Sequence, residues 1–176
     1  MRMILGILFL ILLPVRLSAQ DVAAMTTTDL IQTYVAIQDE PKAREVTTSG
    51  NSLTGQLGEH LFIRAFGWEP AAPSQAGFDA IDGPLRIQIK ARRLSQGGGN
   101  EQLGAIRDLD GFDVLAVILF SHDYKVVAAA LIPAEVVRTN ADYDRHTNSW
   151  RFMFTDALRA HPDVNDVSLR LQSLEF

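Results

Sequence analysis

Apolar residues along this chain recur with three different spacings, and each spacing predicts a different kind of element. Helical spacing of Leu30, Ile31, Tyr34, Val35 and Ile37 predicts a short amphipathic helix over 29–38. A second helix starts from a cap at Asn51 or Ser52, runs to Phe66 and stops at Gly67. Leu53, Leu57, Leu61, Phe62, Ile63, Ala65 and Phe66 make it apolar nearly all the way round, so it is expected to be substantially buried. Segments 78–81 and 85–91 read as strands joined across Asp82-Gly83-Pro84. The unbroken apolar run 114–120 predicts a strand buried on both faces, and 125–132 brings the chain back as another. A short helix with proline in its first turn (133–138), a last strand (150–154) and a mostly helical tail from Thr155 complete the pattern. The polar stretches 39–50, which contains Pro41, and 70–75 read as loops, as does Gly97-Gly98-Gly99. The order predicts an α/β or α+β fold, a mixed sheet flanked by helices.

The N-terminus departs from this pattern. Met3 to Val15 is continuously apolar between Arg2 and Arg16. A bilayer span needs about 20 apolar residues, so the run is too short for an anchor and suits the core of a secretory signal. Ala19, Ala23 and Ala24 offer small residues for cleavage. The alternative is a true start at Met25, with Thr26, Thr27 and Thr28 as natural caps for the first helix. Either way the chain divides into a leader-like segment, 1–24, and a domain, 25–176.

Composition narrows the chemistry. The chain of 176 residues has no cysteine, which removes disulfides, thiol nucleophiles and Cys-containing metal sites. Its net charge of -5 opposes non-specific coating of nucleic acid but leaves room for a local basic patch. Phosphate-loop, dinucleotide, nucleophile-elbow and zinc-protease motifs are all missing. His60, His122, His146 and His161 are scattered without metal-ligand spacing.

One segment carries a constellation. Along 85–92, Leu85, Ile87, Ile89 and Ala91 share one face, while Arg86, Gln88, Lys90 and Arg92 share the other. A three-residue hairpin loop would pair Asp79 with Ile87 and turn its carboxylate to the core face; with a loop over 82–85, Ala80 pairs with Ile87, and Asp79 falls opposite Gln88 and diagonal to Lys90. Asp79, the Gln88 side-chain oxygen and a backbone carbonyl at Ile89 would then suit Mg²⁺ or Mn²⁺, with Lys90 beside them. A bare D…Q-x-K spacing also describes an ordinary solvated strand. Glu59, with Phe62, Ile63 and Phe66 on the following turns, projects from a mostly apolar helix surface and is expected to have a partner.

Leu57-Gly58-Glu59 on a helix, Gly77-Phe78-Asp79, then Gln88-Ile89-Lys90 on a strand resembles the PD-(D/E)XK nuclease superfamily, in its Mrr-like branch with glutamine in the second acidic position. The signature is confined to 57–92. The resemblance implies a restriction-endonuclease-like fold and a Mg²⁺-dependent endonuclease that hydrolyses DNA. Glu59 would be the helix carboxylate, Asp79 the metal-binding aspartate, Gln88 the variant ligand and Lys90 the catalytic lysine. Two departures stand out: no proline precedes the Asp79 motif, and Gln88 is neutral. Arg92, Arg93 and Arg107 would supply phosphate contacts. The alternative is a weak or inactive nuclease-fold domain that binds DNA or a protein, and a homodimer is left open. Cytoplasmic DNA as substrate tips localisation toward the Met25 start; a functional leader would make the protein periplasmic or secreted.

Overall fold

The computed structural model describes residues 19–47, 52–72, 75–96 and 102–174. The apolar run 3–15, Asn51 and the three consecutive glycines lie outside them. The chain divides into two compact units, 1–40 and 41–176.

In the first unit, helix α1 (Ala19–Ala24) is followed by α2 (Thr27–Ala43). Thr26 caps α2 as expected. Its hydroxyl donates to Asp29 Oδ2 at 2.6 Å and accepts from the Asp29 N–H at 3.2 Å, while its own N–H donates to Asp29 Oδ2. The expected end at Gln38 is corrected, because the helix continues through Pro41. Proline so near the C-terminus forfeits a single late hydrogen bond, and the chain stops two residues on. The Pro41 carbonyl instead accepts from the N–H groups of Val46 and Thr47. The apolar set of α2 has no core of its own: Leu30, Ile31, Tyr34, Val35 and Ile37 are all exposed.

The second unit has α+β architecture. Six strands form one sheet in the order β1-β2-β3-β4-β5-β8. They are β1 (Glu69–Pro70), β2 (Ala80–Asp82), β3 (Leu85–Arg93), β4 (Val114–Phe120), β5 (Val126–Pro133) and β8 (Asn165–Asp166). β3 and β4 pair in parallel and every other pair is antiparallel. Helices α3 (Leu53–Phe66) and α6 (Ser168–Gln172) contribute to the core on one face, with Leu61, Phe62 and Leu171 packed against Ile87, Ile89 and Ile118. The other face is covered by residues 103–112, α4 (Ala134–Asn140), the hairpin β6 (Asp142–Asp144) and β7 (Ser149–Arg151), and the segment through Phe154 to α5 (Asp156–Arg159). β4 lies between these cores with Leu115 through Phe120 fully buried, the two-sided burial its sequence predicts.

The hairpin follows the expected register, Ala80 opposite Ile87 and Ile81 opposite Arg86, but is tighter than expected because Asp82 pairs with Leu85. Gly83 takes φ 57° and Pro84 supplies the fixed negative φ that follows, the sign pattern of a type II′ turn. The tail differs more. Instead of continuous helix, α5 and α6 flank β8, which adds to the β5 edge. Pro162 disfavours helix at His161 and so separates the two.

Parallel strands need a long crossover. Residues 103–112 provide part of it without forming a helix. Leu103, Ile106, Leu109 and Phe112, three apart, are all buried and serve as pegs. Ile106 exchanges N–H···O bonds with Trp150 at 3.1 and 2.7 Å.

Candidate functional site

α3 is locally well specified. Ser52 accepts from the Gly55 N–H, and Gly67 ends the helix at φ 70°. At the C-terminal end, the Arg170 guanidinium donates to the Ala65 carbonyl at 2.6 Å and lies over the Phe66 ring. Gly58 sets how closely α3 approaches the sheet: a Cβ there would lie 2.7 Å from Ala91 Cβ and 3.1 Å from Ile118 Cγ2. Both obstacles are held by β-strands. Gly58→Ala therefore gains helix propensity but forces α3 outward, carrying Glu59 with it. We expect a net loss of about 1–3 kcal/mol in a urea melt.

Asp79 is fixed on three sides. Its N–H donates to Ile87 O at 2.8 Å, its carbonyl accepts from the Ala71 N–H, and its Oδ2 accepts the Ile89 N–H at 2.7 Å. The glycine two residues earlier makes this placement possible. Gly77 has φ 94° and meets Gly111 so closely that a Cβ on it would be 3.1 Å from Gly111 Cα.

Gly111 begins a second Gly-Phe-Asp tripeptide, and the two copies flank β3. Asp113 stands to β4 as Asp79 stands to β2, and it too reaches a β3 amide: its Oδ2 accepts from Arg86 N–H at 2.8 Å. The copies differ in their counter-ions. Asp113 makes a bidentate pair with the Arg86 guanidinium at 2.9 and 3.0 Å, and that hydrogen-bonding cation holds its carboxyl down to about 2. Arg86 is therefore committed to the fold, although its strand position places it in a row with Lys90 and Arg92. Because the folded-state value is depressed, this pair stabilises the protein above the unfolded carboxylate value of about 3.9. The contribution is lost as pH falls through about 2. Melting curves of Asp113→Asn should lie well below those of the parent at pH 5 and converge on them toward the acid limit.

Asp79 has no such partner. Burial pushes its carboxyl up, against the Ile89 N–H and the charge of Lys90. Burial likewise pushes Glu59 up, reinforced by the negative charge of Asp79 and opposed by Lys90. Lys90 is pushed down by burial and by Arg107, while Asp79 and Glu59 hold it up. The structure thus brings Glu59, Asp79 and Lys90 close enough to shift one another, with Arg107 near the ammonium. Gln88 shares the Lys90 face, and its Oε1 is buried with no hydrogen-bond partner among the described residues. Ile87 and Ile89 are buried on the opposite face.

Two carboxylates against one ammonium leave a negative balance, and the orphaned amide oxygen adds a neutral donor. That oxygen-only set suits a hard divalent cation. Among the described residues no group of three or more His, Asp or Glu side chains could hold a metal, so the set depends on Gln88 and the main chain. The predicted phosphate contacts separate. Arg107 is exposed near Lys90. Arg92 donates to the Gln102 carbonyl at 2.7 Å. Arg93 alternates to the other face, stacks over Tyr124 and donates to His122 O.

An open cleft of about 850 Å³ adjoins the carboxylates, with Glu59 and Asp79 in its wall beside Gln56, His60, Ile63 and Phe78. No pattern along the chain marks it, because the residues that line it come from three separate segments. His60 gave only the weak signal of following Glu59. Comparison of the chain with protein-family models finds no match, and neither does comparison with curated proteins.

Proposed function

We propose that the second unit is a divalent-metal-dependent nuclease of the PD-(D/E)XK kind, hydrolysing DNA phosphodiester bonds. The observation that carries this reading is the buried Gln88 Oε1, without a hydrogen-bond partner among the described residues, on the same strand face as Lys90, which burial desolvates together with Asp79 and Glu59. Leaving a polar atom buried and unpaired costs about 1–3 kcal/mol, and titratable groups shifted by burial and by one another gather at functional sites.

Asp79, Gln88, Glu59 and the Ile89 main chain are the groups that would hold Mg²⁺ or Mn²⁺, and the ion would supply Lewis-acid activation of the phosphoryl group and its attacking water. The Ile89 N–H orients the Asp79 carboxylate. Lys90 is held in a desolvated setting where its positive charge offsets charge building up on phosphate oxygens. Arg107 supplies an exposed cation for the neighbouring phosphate. The test is incubation of the full chain with supercoiled plasmid and Mg²⁺ or Mn²⁺, nicked and linear products being expected. DNA binding without turnover would favour the inactive reading, which the neutral Gln88 supports.

Gln88→Glu adds a carboxylate to the set. It should tighten Mg²⁺ binding measured calorimetrically by about 10-fold and preserve cleavage at lower Mg²⁺, since affinity follows ligand charge.

A further inference from the structure

The cleft beside Asp79 differs chemically from the polar cluster it adjoins. α3 turns one face into it, with Gln56, Glu59, His60 and Ile63 at positions i, i+3, i+4 and i+7. Its other lining residues include the apolar Pro70, Ala71 and Phe78. No lysine or arginine is among the described residues lining it, whereas Glu45, Glu59 and Asp79 are acidic. Phosphate is repelled from such a lining, and Lys90 and Arg107 lie outside it. The uncharged part of a nucleotide is not repelled. Apolar side chains such as Phe78 and Ile63 can take the face of a base, and the imidazole of His60 can read its edge. The volume of about 850 Å³ falls within the range of small-molecule sites. Since Asp79 belongs to both cluster and cleft, a phosphodiester held there has its attached sugar and base at the cleft entrance.

We propose that the cleft receives the base of one unpaired nucleotide, so that the protein acts on single-stranded or locally unpaired DNA rather than on continuous duplex. This rests on the nuclease reading. In a duplex the base is stacked and paired, and taking it out costs free energy that a single strand has already spent.

Two measurements on the full chain test it. In the first, the four deoxynucleosides, which carry no phosphate, are titrated while the His60 ring signals are followed by NMR. Saturable binding is expected, and Ala72→Trp, a substitution at an exposed residue of the cleft wall, should abolish it. In the second, cleavage is compared on a single-stranded oligonucleotide, its paired duplex and a duplex with a central unpaired bubble. The duplex should be cut at least about 10-fold more slowly than the other two. Absence of nucleoside binding, indifference of that binding to Ala72→Trp, or equal cleavage of the duplex would overturn the proposal. Duplex cleavage without nucleoside binding refutes the cleft assignment and leaves the nuclease reading intact. Nucleoside binding without cleavage of any substrate refutes the nuclease reading and leaves the base site standing.

Discussion

Asp79→Asn is expected to reduce metal-dependent DNA cleavage to background while the protein stays folded. The substitution is chosen because Asp79 does two jobs. Its Oδ2 accepts the Ile89 N–H at 2.7 Å, and alanine would orphan that amide in the middle of the sheet. An orphaned buried donor costs about 1–3 kcal/mol, enough to confuse a lost site with a lost fold. Asparagine keeps an acceptor in place and removes the charge. What remains is one carboxylate, Glu59, facing the buried Lys90 ammonium, a pair with no negative balance left to attract a divalent cation. Calorimetry should show Mg²⁺ binding gone, circular dichroism should show an unchanged fold, and plasmid should stay supercoiled. A variant that still cleaves like the parent would place the activity elsewhere.

Lys90→Met should give the opposite division of effects. Methionine retains most of the apolar stem that packs beside the core and deletes the ammonium. Removing a positive charge from beside two carboxylates lessens its repulsion of an incoming cation, so Mg²⁺ binding should be unchanged or tighter. Turnover should fall by roughly 10²-fold or more, the usual consequence of losing a positioned donor that acts on developing charge. Single-turnover cleavage at saturating Mg²⁺ isolates that step from metal affinity. Loss of both binding and turnover would mean that Lys90 supports the fold instead.

How much of this could be read from the residues depends on how local the signal is. β4 was legible to the residue, because a buried central strand announces itself as a run with no polar interruption. α3 was equally legible, since Ser52 and Gly67 mark its ends in side-chain chemistry. The Ala80–Ile87 register was not legible: the residues allowed a shift of one that would have turned Asp79 toward the core face, and the fold decides between the two. The two-residue strands β1 and β8 are shorter than any period, so no pattern could reveal them. The pegs Leu103, Ile106, Leu109 and Phe112 mimic one side of a helix, but Phe152 and Trp150, the partners of Leu103 and Ile106, lie more than forty residues beyond them. At the site, the strand positions of Gln88 and Lys90 follow from alternation alone. Arg86 sits in the same row as Lys90 and Arg92, and only the fold shows that Asp113 claims it. The repeated Gly-Phe-Asp, at 77–79 and 111–113, was in plain view as a sequence. Its meaning depends on both copies lying against one strand.

That doubled tripeptide bears on how the chain can change over generations. Gly77 and Gly111 press main chain against main chain, and the side on which either would grow a side chain is already filled by the other. Ordinary contacts drift by exchange, a large residue on one side being traded for a small one opposite. Here both members are already at the smallest size, so no trade exists. A random library built over these two positions would return glycine at each, whether the selection were for solubility or for activity. The aspartate with a counter-ion and the one without would therefore be inherited as a pair.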